Sequence, residues 1–138
     1  MKIEIKRRND LFHMEAENET GNVVQMDASP EIGGLNMGMR PMQLLLAALG
    51  GCGSIDIISI LRKQKEPLDD IRITVSGERE AGAVPALFTD AHVHIQLFGN
   101  IDLAKAERAV NLSMEKYCSV AKTMEKTAKI THSFEIIS

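Results

Sequence analysis

Two residues in this chain have obvious nucleophilic or redox potential, Cys52 and Cys118. Cys52 stands in Ala47-Ala48-Leu49-Gly50-Gly51-Cys52-Gly53-Ser54, among three glycines. Each glycine costs roughly 1 kcal/mol relative to alanine inside a helix, so the cluster needs a reason. Close packing against a neighbouring element is one; open access to the sulfur is the other. A bland reading also stands, because free cysteine is among the most buried residue types. Cys118 stands in Glu115-Lys116-Tyr117-Cys118-Ser119-Val120-Ala121. A helix starting at Ser119 would put its positive end near the sulfur, which favours a thiolate, and Lys116 would add to that. Were the two sulfurs to meet, one thiolate could take oxygen from an oxidant and the other condense with the sulfenic acid to a disulfide. A thiolate also needs a cation, for which Arg7, Arg8, Arg40 and Arg79 are candidates. Asp56, four residues after Cys52 and able to share its helix face, would oppose the thiolate unless a cation compensates.

Other patterns carry less. His92 and His94 share one face of a strand but lack a third ligand in register, and His132 completes no familiar zinc spacing with the cysteines. Neither a metal nor another cofactor is therefore expected. Gly33-Gly34-Leu35-Asn36-Met37-Gly38 precedes a helix but follows no βαβ pattern and lacks the Lys-Ser/Thr of a phosphate-binding loop. The eight methionines read as adaptable core filler.

The elements that must position the cysteines follow from periodicity. Met1–Arg8 alternates apolar and charged residues, the signature of a half-buried strand. Leu11–Glu17 and Val23–Asp27 continue as two more strands across a Thr20-Gly21-Asn22 turn, giving an antiparallel meander. Residues 28–40 form a loop. Pro41 suits a helix first turn, and the helix to about Lys65 is apolar nearly all round, so it must be buried in a core or against a partner. Asp70–Glu80 and Phe88–Phe98 alternate again. Asp102 is a plausible N-cap for a helix reaching Tyr117-Cys118; a short helix, Ser119–Thr127, and a last strand, Lys129–Ile137, follow. The order βββ-α-ββ-α-α-β groups strands in blocks, which predicts an α+β fold with antiparallel sheets rather than a doubly wound parallel sheet.

The 138 residues suit one domain, 1–138, and a chain this long can bury enough surface without a metal or disulfide staple. With 16 Lys and Arg against 19 Asp and Glu, no basic surface for nucleic acid is expected, and with one Tyr, four Phe and no Trp, no stacking platform either. MKIEIKRRND lacks the apolar region of a secretory signal. No segment reads as a run of about 18–20 apolar residues fit to span a membrane. A cytoplasmic protein with reduced thiols is the expectation.

Met39-Arg40-Pro41-Met42-Gln43-Leu44-Leu45-Leu46-Ala47-Ala48-Leu49-Gly50-Gly51-Cys52 resembles the central-helix motif of the OsmC/Ohr superfamily, and Glu115–Ala121 resembles its second-cysteine motif. Ile130-Thr131-His132-Ser133-Phe134-Glu135 and the Cys52…Asp56 spacing are most similar to its YhfA-type branch. The resemblance spans nearly the whole chain. It implies an intertwined homodimer with long helices packed centrally between sheets. It implies Cys52 as peroxidatic nucleophile, Cys118 as resolving thiol and an activating arginine, for which Arg40, Arg7 and Arg8 are the candidates. Organic or fatty-acid hydroperoxides would be the substrates, and a lipoylated protein or another dithiol the reductant. Position 42, ten before Cys52, is Met where the family's peroxidases carry the glutamate that orients that arginine. The rival readings are a non-catalytic dimer binding an apolar small molecule at its interface, and a thiol redox sensor.

Overall fold

A computed structural model describes all 138 residues. The chain divides into two compact units, Met1–Leu45 and Leu46–Ser138.

In the first unit, β1 (Ile3–Arg7), β2 (Met14–Asn18) and β3 (Val23–Met26) form the expected antiparallel meander. β2 starts at Met14 rather than Leu11. The side-chain oxygen of Asn9 accepts the N–H groups of Leu11 and His13, holding that stretch as a turn. Asn18 does the same at the next corner, accepting from Thr20 and Asn22. The loop after β3 is organised by buried Asp27, whose carboxylate accepts the N–H groups of Ala28, Leu35 and Met37 at 2.7, 3.2 and 3.1 Å. Burial alone would raise its pKa, but those three bonds outweigh it and the pKa falls below the usual carboxylate value.

Helix α1 (Pro41–Lys63) begins with Pro41, and Gln43 turns its side chain back to accept the Arg40 N–H. It ends two residues earlier than expected. Lys65 takes a left-handed conformation (φ 58°), while the N–H groups of Lys65 and Glu66 bond to Arg62 and Leu61. That pattern of crossed C-terminal bonds terminates a helix. Along α1 a single stripe is buried: Leu49, Gly50, Gly53, Ile57 and Leu61. The remaining apolar positions are more open, with Ile55 70% exposed. The expectation that no segment could span a membrane needs correction, since α1 is long and apolar enough by length and composition. Core helices of soluble folds pass the same test, and the buried stripe of α1 is part of such a core.

The second unit is built on the sheet β4 (Asp70–Arg79), β5 (Phe88–Phe98) and β6 (Lys129–Ile137), in that order. β4 and β5 are antiparallel, from Asp70↔Phe98 onward. β6 runs parallel to β5, from Asp90↔Lys129 to Phe98↔Ile137. Apart from one parallel bridge outside the strands, Met26↔Met39, the antiparallel expectation thus holds for every pairing between strands but this one. Here the chain crosses over through α2 (Leu103–Leu112), a π-helical turn (Ser113–Tyr117) and α3 (Ser119–Met124), the helical connection a parallel pair requires. Asp102 caps α2 as expected, accepting the Lys105 N–H. Val93, Ile95 and Leu97 of β5 meet Leu49, Ile57 and Leu61 of α1 and Ala106, Ala109 and Val110 of α2 in one core. Each buried Val, Leu or Ile contributes roughly 1.5–3 kcal/mol.

Across the outer face of this sheet runs a polar ladder. His92 bonds through both ring nitrogens to the hydroxyls of Thr131 and Ser133, and His94 to Ser133. The two histidines share a face as expected, but three of their ring nitrogens meet hydroxyls and the fourth, His94 Nε2, lies 3.6 Å from the Glu135 carboxylate. His132 bonds instead to Asn111.

Candidate functional site

Cys52 lies midway along α1, packed against the core and partly shielded. Cys118 lies where the π-helical turn gives way to α3, and it is 0% exposed. Small residues bring the two elements together. A Cβ at Gly53 would stand 3.1 Å from the sulfur of Met114. The buried Ser113 hydroxyl donates to the Gly53 carbonyl at 3.1 Å, and the Cys118 N–H bonds back to Ser113 at 2.8 Å. The first of the two reasons for the glycine cluster is met at Gly50 and Gly53. Gly50 and Gly53 allow close packing, Gly50 against Val75, whereas nothing lies within 4 Å of the Cβ position at Gly51.

The Sγ atoms of Cys52 and Cys118 and one carboxylate oxygen of Asp56 all lie within 4.8 Å of one another. Sequence spacing could not show this for residues 66 positions apart. A disulfide needs the sulfurs about 2 Å apart, so a gap of under about 3 Å separates this arrangement from a bond. The Oδ2 atom of Asp56 is buried without a hydrogen-bond partner, as is Oε1 of Gln64.

The expectation for Cys118 is reversed electrostatically. Burial pushes its thiol up to about 11, and neighbouring Cys52 adds to the rise. The N–H groups of Ala121 and Val120 at the start of α3 pull the other way, Ala121 donating to Sγ at 3.4 Å, but they do not win. Lys116 is turned over the ring of Tyr117, 5.2 Å from its centre.

Asp56 opens onto a cleft of about 520 Å³ lined also by Ser59, Ile60, Lys63, Gln64, Arg108 and Tyr117. The positions 56, 59, 60 and 63 have the spacing of one helix face, a signal present in the sequence. Nothing local marked Arg108 as their neighbour across the cleft. The proposed activating arginines belong to the first unit, and each is engaged there. Arg7 donates to the Asn9 carbonyl at 2.7 Å, Arg8 faces Glu15 at 3.9 Å, and Arg40 donates to Asn36 and the Gly38 carbonyl at 2.9 and 3.1 Å. Arg79 donates to the Ala86 carbonyl. Met42 is half-buried.

An α+β chain with a long apolar helix and two cysteines brought together from α1 and the α2–α3 junction is a defined class of protein. The profile of the OsmC-like protein family matches residues 33–133. Protein YhfA of Escherichia coli K12 is 38% identical over 123 residues, 88% of each chain. A structural-genomics structure, 35% identical, superposes with a TM-score of 0.87 over 99% of this chain and 98% of its own. The organic hydroperoxide resistance protein OhrB of Bacillus subtilis shares the fold at 16% identity, with a TM-score of 0.67 over 98% of both chains. The chain belongs to the OsmC-like family.

Proposed function

We propose that this protein is a dithiol hydroperoxide reductase, and the observation that carries the reading is the approach of the Cys52 and Cys118 sulfurs to within 4.8 Å. Cys52, partly accessible, attacks the terminal peroxide oxygen; the O–O bond breaks, leaving an alcohol and a Cys52 sulfenic acid. Cys118 then displaces water from that sulfur and forms the disulfide. A dithiol, free or as a lipoylated protein, returns two electrons and two protons and restores both thiols. The raised pKa of Cys118 supports this division of roles. A sealed, protonated thiol is poorly placed to meet peroxide first and well placed to wait for a sulfenic acid beside it. Arg40, Arg7 and Arg8 are the family-based candidates for the cation beside Cys52. The organic substrate, the cytoplasmic setting and a homodimer as the working form belong to the same reading, which the OsmC-like membership supports.

The test is to mix reduced protein with a slight excess of cumene hydroperoxide, quench with an alkylating agent and weigh it intact. A loss of two hydrogens with both thiols protected is the expected result. Cys52→Ser should consume no peroxide. Two freely alkylated thiols after oxidant would overturn the reading and favour a non-catalytic dimer, to which Met42 and the exposed Ile55 flank of α1 also point.

A further inference from the structure

We propose that Cys52, Asp56 and Cys118 form a Zn²⁺ site in the reduced protein. Two thiolates and a carboxylate are a donor set that zinc accepts readily. With all three donor atoms within 4.8 Å of one another, an ion at their centre lies no more than about 2.8 Å from each. Contraction by about 0.5 Å for each sulfur and about 0.7 Å for the oxygen reaches ordinary Zn–S and Zn–O lengths of about 2.3 and 2.1 Å. Two of the ligands sit four apart on α1, and the third comes from a different element, so the ion would join α1 to the α2–α3 junction.

The second observation is Asp56 itself. Its Oδ2 atom is shielded from solvent and bonded to nothing. A buried carboxylate oxygen with no donor is costly unless it meets a cation or takes up a proton. Three anionic ligands exceed the charge of one Zn²⁺, and the cleft that Asp56 opens onto carries Lys63 and Arg108 to offset the remainder. The same cleft reaches the site on its Asp56 side, the side from which an ion would enter and a water would complete its coordination. Binding transfers no electrons: Zn²⁺ displaces one proton from each thiol, and both protons pass to solvent.

The site does not depend on peroxide chemistry. Its consequence for that chemistry does rest on the function proposed above: thiolates held by zinc are withheld from hydroperoxide until the metal leaves.

The experiment uses the full chain, reduced and stripped with a chelator. Titration with Co²⁺ should give one ion per chain and a near-ultraviolet thiolate-to-cobalt charge-transfer band that Zn²⁺ then bleaches. Zinc should slow modification of both thiols by an aromatic disulfide reagent at least tenfold. Asp56→Asn keeps the shape and removes the charge, and should weaken Co²⁺ binding at least tenfold; Cys118→Ser should halve the charge-transfer intensity. Absence of the thiolate band in the wild type would overturn the proposal, as would wild-type affinity in a folded Asp56→Asn protein. Should that variant not fold, the band intensity in Cys118→Ser decides. No peroxide is present, so failure here leaves the alkylation result standing, and failure of disulfide formation leaves this one standing.

Discussion

Cys118 shows how burial can defeat a helix end. The backbone N–H groups that favour a thiolate are in place, yet loss of solvent outweighs them and the thiol is driven up to about 11 from 9.0. A group whose pKa is raised on folding stabilises the fold fully below its unfolded value, and that contribution is lost as pH rises through the folded value. The melting temperature of the reduced protein should therefore fall more steeply between about pH 9 and 11 in wild type than in Cys118→Ser, as thermal scans across that window would register. Equal slopes would show that Cys118 is not protonated by its surroundings. Sequence marked both cysteines because each sits in a recognisable local motif. It gave the wrong direction for Cys118 because the burial that dominates comes from a core assembled from several elements, which the local motif does not show.

Among the elements, α1 offers a paired test. A methyl group at Gly50 would stand 2.8 Å from a Val75 methyl, while one at Gly51 would meet nothing within 4 Å. Gly50→Ala should cost about 1–3 kcal/mol by overpacking, and Gly51→Ala should gain up to about 1 kcal/mol from helix propensity; urea denaturation of the two proteins measures the contrast. The loop after β3 provides another. Asp27 holds its carboxylate pKa low, so the order it imposes is present above the ordinary carboxylate range and is lost as pH falls through its depressed value. Asp27→Asn should speed hydrogen exchange at Ala28, Leu35 and Met37 at neutral pH, where mass spectrometry of that segment would detect it. Strand and helix identities were legible because their periods of two and 3.6 are local. The start of β2, the end of α1 and the parallel pairing of β6 were not. The first depends on an Asn9 side chain, the second on a left-handed Lys65, and the third on the path of a crossover.

For the whole molecule, Leu45 and Ile55 of α1 are among the large apolar side chains that a single chain leaves uncovered. Ile55 is 70% exposed on a helix whose opposite stripe is fully packed. The homodimer expected from the family resemblance would place a second copy there. Ile55→Glu should then shift the sedimentation of the protein toward the monomer without unfolding it. A wild-type protein that sediments as a monomer at micromolar concentration would remove the dimer from the proposal. The sequence pointed the same way, because a helix apolar nearly all round carries more apolar surface than a chain of 138 residues readily covers by itself.

The parallel pairing of β6 with β5 also has a meaning in time. Partners such as His92 and Thr131 are 39 residues apart, so closing that loop is entropically slow compared with forming the β4–β5 hairpin. Until β6 docks, one edge of β5 stays unpaired, and the α2–α3 crossover that carries Cys118 is tied down at one end only. A newly made chain in which β6 has not yet docked would carry Cys118 on a crossover anchored at one end, an interval in which that sulfur lacks the cover it has in the finished fold. Its vulnerability to misplaced cross-links falls in that interval, before the sheet is complete.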